Sequence, residues 1–161
     1  MNEIIVRTAQ KQDMAAVLRL IKELAVFERE PDAVKVTVED LQRDGFGDAP
    51  AFHCFVAEVD GKIEGMALCY QRYSTWAGKT VHLEDLIVSE AMRGRSIGSI
   101  LFTEVIKYGY KKGVRRIEWG VLDWNEPAIR FYEKNGAKVL RDWDVAQLDE
   151  AGIKNYISKL R

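Results

Sequence analysis

Residues Leu83 to Ser99 read LEDLIVSEAMRGRSIGS. The first six read as a strand, and the end of the run opens a helix. Between them lies a short loop rich in small and basic residues: Arg93, Gly94, Arg95, Ser96, Ile97, Gly98 and Ser99. A helix N-terminus presents unpaired N–H groups and a partial positive charge, so it binds phosphate well. Small residues let the backbone approach the anion, and the arginines add charge. Just upstream stand two adjacent carboxylates, Glu84 and Asp85. One segment thus offers a candidate base beside a candidate anion cradle. The pair suits an enzyme that handles a phosphate-bearing cofactor next to an amine.

Working outward, the upstream half begins with a short apolar run, Ile4 to Arg7, that reads as a first strand. Asp13 is placed to cap a helix whose apolar residues Val17, Leu18, Ile21, Leu24 and Ala25 recur every three or four positions. This helix ends near Phe27 and Glu28, with Pro31 just beyond. Thr37 and Asp40 resemble a capping box opening a second short helix to about Arg43, followed by a loop over residues 44–48. His53 to Val59 and Ile63 to Tyr73 are strands joined by the hairpin signal Asp60-Gly61. After a turn over residues 74–78, Thr80 to Val88 is the next strand.

Downstream, Ile97 to Lys112 has helical spacing and Gly113 to stop it. Arg116 to Leu122 reads as a strand. Asn125 caps a helix over Glu126 to Lys134, with Pro127 in its first turn and Asn135-Gly136 at its end. Val139 to Leu148 holds one or two strands, and Asp149 caps a last helix through Lys159. The order β-α-α-β-β-β-α-β-α-β-(β)-α describes one mixed α/β domain over residues 1–161, an antiparallel meander joined to a βαβ unit.

Composition excludes several classes. The 161 residues are 47% hydrophobic and 30% charged, with a net charge of -1. That balance is ordinary for a soluble globular protein and does not suggest a nucleic-acid-binding surface. No apolar run approaches the roughly 20 residues of a membrane span, and the N-terminus lacks a signal-peptide apolar core. The expected location is the cytoplasm. Cys54 and Cys69 read as reduced buried thiols, and the two histidines, His53 and His82, have no metal-ligand spacing, so no metal is expected.

The loop is neither a P-loop nor a dinucleotide fingerprint. Taken with its strand, it resembles the acetyl-CoA pyrophosphate loop of the GCN5-related N-acetyltransferases (GNAT), whose pattern is Arg/Gln-x-x-Gly-x-Gly/Ala. Arg93 and Gly98 match; Ser96 stands where the central glycine belongs. If that position needs φ > 0, serine costs about 1 kcal/mol. Weakened cofactor affinity, not loss of binding, is the expectation.

The resemblance runs along nearly the whole chain and narrows further. The stretches LRLIKELAVFE (18–28), DGFGD (44–48), FHCFVAEV (52–59), YSTWAGK (73–79), HLEDLIV (82–88) and VLDWNEPAIRFYEKNGA (121–137) look like the diamine, or spermidine/spermine, N-acetyltransferases. Phe27-Glu28, YSTW and VLDWN are more similar to the thialysine-preferring branch. After Ala137 the likeness fades.

What the resemblance implies is a GNAT fold, with a mostly antiparallel mixed sheet flanked by helices, and an N-acetyltransferase using acetyl-CoA as cosubstrate. Backbone groups of Leu86, Ile87 and Val88 would pair with the pantetheine arm. Arg93 and Gly94 through Ser99 would hold the pyrophosphate. Asn125, Glu126, Pro127 and Ala128 would flank the other side of CoA, and Tyr132 would stand near the thioester sulfur. Phe27, Glu28, Glu84, Asp85 and Asp142 would face the amine. Glu84 is the implied base and Tyr132 the acid.

Each residue also has a plainer reading. Glu84 and Asp85 fit solvated or paired strand carboxylates, Glu28 a helix end, and Tyr132 core packing. In a regular strand Glu84 and Asp85 lie on opposite faces, so sharing a pocket requires a bulge or splay. The acceptor expected first is a compact ω-amino compound such as thialysine or a lysine analogue, then a diamine or polyamine, with a homodimer as the assembly. The alternatives are a non-catalytic acyl-CoA sensor on the same fold, motivated by Ser96, and an acetyltransferase of a protein or peptide amine.

Overall fold

The computed structural model describes residues 3–160. They divide into two compact units, one ending at Gly120 and the other beginning at Val121.

The first unit is built on a five-stranded sheet in the order β1-β2-β3-β4-β5. The strands are β1 (Ile4–Thr8), β2 (His53–Val59), β3 (Lys62–Ser74), β4 (Gly78–Val88) and β5 (Ile117–Glu118). The first four form an antiparallel meander, and β5 joins β4 in parallel. Its helices are α1 (Met14–Phe27), α2 (Val38–Gly45) and α3 (Ile97–Lys111).

Alternation along the strands sorts the side chains to two faces. One face carries Cys54, Val56, Met66, Leu68 and Ile87, which close on Met14, Val17 and Leu20 of α1 and Leu41 of α2. The other carries α3, whose Ile97, Leu101, Phe102 and Val105 are buried. Gly65 sets the approach of α3, because a Cβ there would come within 3.0 Å of Leu101 Cδ1 and 3.3 Å of Ile97 Cγ2. His53 stacks on Tyr108 of α3, with ring centroids 4.7 Å apart.

The expected capping box is present: Thr37 Oγ1 accepts from Asp40 N–H, and the Asp40 carboxylate accepts from Thr37 N–H. Asp13 precedes α1 as expected but does not cap it. Its carboxylate instead accepts from the Arg7 guanidinium (2.7 Å) and Gln10 N–H (2.7 Å). Three boundaries also move by two residues or more. α2 runs two residues past Arg43 into the expected loop, and β4 starts at Gly78 because the hairpin register Ser74–Gly78 continues its ladder. β5 has two residues instead of the expected Arg116 to Leu122, since only Val81 and His82 pair with it.

The second unit holds α4 (Glu126–Lys134) and α5 (Glu150–Ser158), capped as expected by Asn125 and Asp149. The strands expected over Val139 to Leu148 are absent: the segment is exposed and irregular. Trp143 and Val145 alternate with Asp142 and Asp144 as in a strand, but no ladder forms, and a strand needs one.

Candidate active site

The register of β3 against β4 slips by one residue at the LED motif. Leu68 pairs with Asp85 and Cys69 pairs with Leu83, so Glu84 is left without a partner. Glu84 is the extra residue of a β-bulge. Cross-strand partners share a face. Leu83 therefore lies with Cys69, and Asp85 lies with Leu68 and Ile87 on the α1 face. Tyr70 and His82, also paired, belong to that same face by alternation. The Tyr70 hydroxyl donates to Glu84 Oε2 at 3.0 Å, and His82 Nε2 lies 3.5 Å from the same oxygen. The bulge thus brings Glu84 to the side where Asp85 already points, as sharing a pocket requires.

Glu28, at the end of α1, completes an acidic basin. Burial raises its carboxyl, and the charge of Glu84 adds to the effect. Asp85 is pushed from 3.8 to about 6, first by burial, then by Glu84 and Glu28. A cluster in which Glu84 raises both Glu28 and Asp85 is short of a cation. Phe27, beside Glu28, carries the Arg93 guanidinium over its ring at 5.3 Å. Arg93 Nε also donates to Val88 O at 3.3 Å, so the first residue of the loop lies against the end of α1.

The sheet edge and loop fit a CoA-type ligand. Beyond Val81 and His82, the β5 side of β4 has no strand pairing among the described residues. Leu86, Ile87 and Val88 lie in that stretch. Gly94 has φ +77° and Ser96 has φ +64°, the left-handed region that turns successive amides toward one side. A Cβ built on Gly98 would meet nothing nearer than Val88 Cγ2 at 3.7 Å. Ile97, Gly98 and Ser99 form the first turn of α3, where N–H groups have no intrahelical acceptor. Arg95 is exposed beside them.

In the second unit, the Asn125 side chain accepts from Ala128 N–H at 3.4 Å, with Glu126 and Pro127 in the first turn of α4. Tyr132 packs against Phe131, ring centroids 5.4 Å apart, and burial raises its phenol. Asp142 lies in the exposed irregular segment.

Residues 15–137 match the acetyltransferase (GNAT) family. The chain belongs to that family. It is an N-acetyltransferase dependent on acetyl-CoA, and it transfers acetyl to an amine. A thialysine N-epsilon-acetyltransferase of Bos taurus is 39% identical over 167 residues, covering 97% of this chain and 98% of that one. A spermidine/spermine N(1)-acetyltransferase-like protein of Homo sapiens is 38% identical over 144 residues, covering 85% of this chain and 21% of that longer one. These relatives bear out the resemblance to the diamine group and its thialysine branch. A solved aminoglycoside N-acetyltransferase in complex with CoA superposes with a TM-score of 0.73 at 18% identity, covering 92% of this chain and 96% of that one, which shows the fold. No helix of the described residues is long and apolar enough to cross a membrane.

Tyr70 and His82 escaped the sequence reading as parts of the site. The signal was present: counting back from the Ser74–Gly78 turn sets Tyr70 opposite His82, two residues from Glu84.

Proposed function

We propose that residues 1–161 act as one catalytic domain that acetylates the primary amine of a small ω-amino compound, thialysine or a lysine analogue first. The observation that carries this reading is the acidic basin of Glu28, Glu84 and Asp85 beside the open edge of β4. A primary ammonium fits the basin electrostatically, and Phe27 offers an apolar wall for its methylenes. The same three carboxylates favour, as a second reading, a diamine or polyamine with more than one ammonium.

Acetyl-CoA supplies an activated acetyl thioester when bound. Leu86, Ile87 and Val88 hold its arm by backbone hydrogen bonds, as an added strand is held. Arg93 and the Gly94–Ser99 loop hold the pyrophosphate at the start of α3. The family resemblance adds Asn125, Glu126, Pro127 and Ala128, at the start of α4, as residues that would bind CoA. Glu28 and Asp85 attract the acceptor, and the family resemblance adds Asp142. An ammonium near pKa 10 is not a nucleophile until it loses a proton. Glu84 removes that proton, directly or through a water, and leaves the lone pair on nitrogen. The free amine would then attack the acetyl carbon directly, with both substrates bound; the N–C bond forms, the C–S bond breaks with its electron pair leaving on sulfur, and the nitrogen sheds its second proton. Tyr132, its phenol raised by burial, keeps its proton at neutral pH and would donate it to the departing sulfur, the phenol being restored by the second proton shed from the nitrogen.

The same reading carries a homodimer in the cytoplasm. Exposed Leu140, Trp143, Val145 and Leu148 offer an apolar strip for a second copy.

The test is a steady-state assay with acetyl-CoA against thialysine, lysine, ornithine, diamines, spermidine and a lysine peptide. The expected result is highest kcat/KM for an ω-amino acid. Acetyl-CoA binding without turnover of any acceptor would leave a sensor in its place. Preference for the peptide would move the acceptor to protein.

A further inference from the structure

Glu84 has a problem that its position on a bulge creates. A bulged residue has no cross-strand neighbour to hold its side chain. Ordering a free glutamate costs rotamer entropy. Its charge also raises the carboxyls of Glu28 and Asp85 beside it. A base placed there without support would be mobile.

The structure supplies support from β3. Tyr70 stands opposite His82, and its ring lies against the imidazole, centroids 5.2 Å apart and tilted 37°. That contact fixes the ring, and the ring fixes the hydroxyl, 3.0 Å from Glu84 Oε2. A hydrogen bond donated to a carboxylate favours its ionised form. The Tyr70 phenol is itself raised, by burial first and then by Glu84, so it remains a donor through the neutral range.

We infer that Tyr70 is a positioning residue for acetyl transfer: its hydroxyl holds Glu84 Oε2, which turns Oε1 to the acceptor and keeps the carboxylate ionised. This rests on the reading of Glu84 as the base. The charged or titratable groups facing the pair are His82 and Asp85 on β4, Glu28 on α1, Arg72 on β3 and Glu118 on β5. Arg72 is itself engaged by Glu118 at 2.7 Å. Tyr70 is thus a donor that bonds Glu84 directly, within a cluster that holds two further carboxylates.

The test is Tyr70→Phe, which keeps the ring against His82. The Glu84 carboxyl is followed by carbon-13 NMR titration in the free protein. Its midpoint rises by half a unit or more, about threefold in the ionisation constant. In the reciprocal variant Glu84→Gln, the Tyr70 phenol titrates at lower pH. In the assay, the acid limb of kcat/KM for the amine moves up by the same amount in Tyr70→Phe, while the KM for acetyl-CoA stays put. An unshifted Glu84 midpoint in a variant of native melting temperature overturns the inference, whether or not an acceptor is turned over. Absence of turnover by the native protein, with the midpoint shifted, would instead overturn the proposed function and leave the Tyr70–Glu84 coupling standing.

Discussion

Leu83 and Asp85 are two residues apart on one strand, yet they face opposite sides of the sheet. Leu83 pairs with Cys69 and Asp85 with Leu68, neighbours whose side chains alternate. The single extra residue that causes this is Glu84. The bulge places a carboxyl, Asp85, on a face otherwise given to the α1 core. That placement costs stability.

Folding raises the Asp85 midpoint from 3.8 to about 6. Between those values the native state binds more protons than the unfolded chain, so stability falls as pH rises through the window. The penalty is absent below it and complete above it. Asp85→Asn removes the charge and should stabilise the fold by about 2 kcal/mol at pH 8. The gain fades toward pH 4. Urea denaturation at the two pH values measures it, and an equal gain at both would show that charge is not the cause.

A cationic acceptor should relieve the same strain. Near pH 6 Asp85 is about half protonated, and an ammonium docked beside it favours the charged form. Binding then releases a fraction of a proton at pH 6 and almost none at pH 8. Calorimetry in two buffers of different ionisation enthalpy reads the release. Identical heats in both buffers at pH 6 would place the amine away from Asp85.

Much of this site was readable before the fold. The LED strand, the Arg93–Ser99 loop and the Asn125 cap are local patterns, and each stands where its spacing put it. What escaped depends on neighbours. Alternation assumes a regular strand, so it foresees a bulge only as a requirement, not as a position. The Tyr70 hydroxyl reaches Glu84 across a ladder whose register the hairpin turn sets. The strands expected over Val139 to Leu148 had the pattern without the partner, and pattern alone does not build a ladder.

Removing the base should change the shape of the pH profile as well as its height. In Glu84→Gln the acceptor must arrive already deprotonated, so the rate tracks the free amine. Activity falls by about 100-fold or more at neutral pH. The acid limb moves up toward the amine's own pKa, near 10. An unchanged limb would remove Glu84 from the reaction.

Tyr132→Phe tests the opposite end of the proton inventory. The ring stays against Phe131, and only the raised phenol is lost. If it protonates the departing sulfur, kcat drops by about 100-fold while the KM for acetyl-CoA barely changes. A rise in that KM with kcat intact would make Tyr132 a packing residue for the cofactor.

Ser96 has φ +64° at the position where the family pattern carries glycine. The left-handed conformation costs an L residue about 1 kcal/mol or slightly more. No side-chain cap offsets it, for the hydroxyl makes no hydrogen bond to the first turn of α3. Ser96→Gly should therefore stabilise the protein. The gain is smaller than the full strain, because glycine also loosens the unfolded chain; about 0.5 kcal/mol is expected, read as a small rise in melting temperature. CoA affinity separates two roles for the serine. If it is only strained, affinity rises or holds in the variant, because the loop is already shaped by Gly94 and the start of α3. If its hydroxyl donates to a phosphate oxygen, affinity falls several-fold while stability still rises, and Ser96→Ala loses the affinity without relieving the strain.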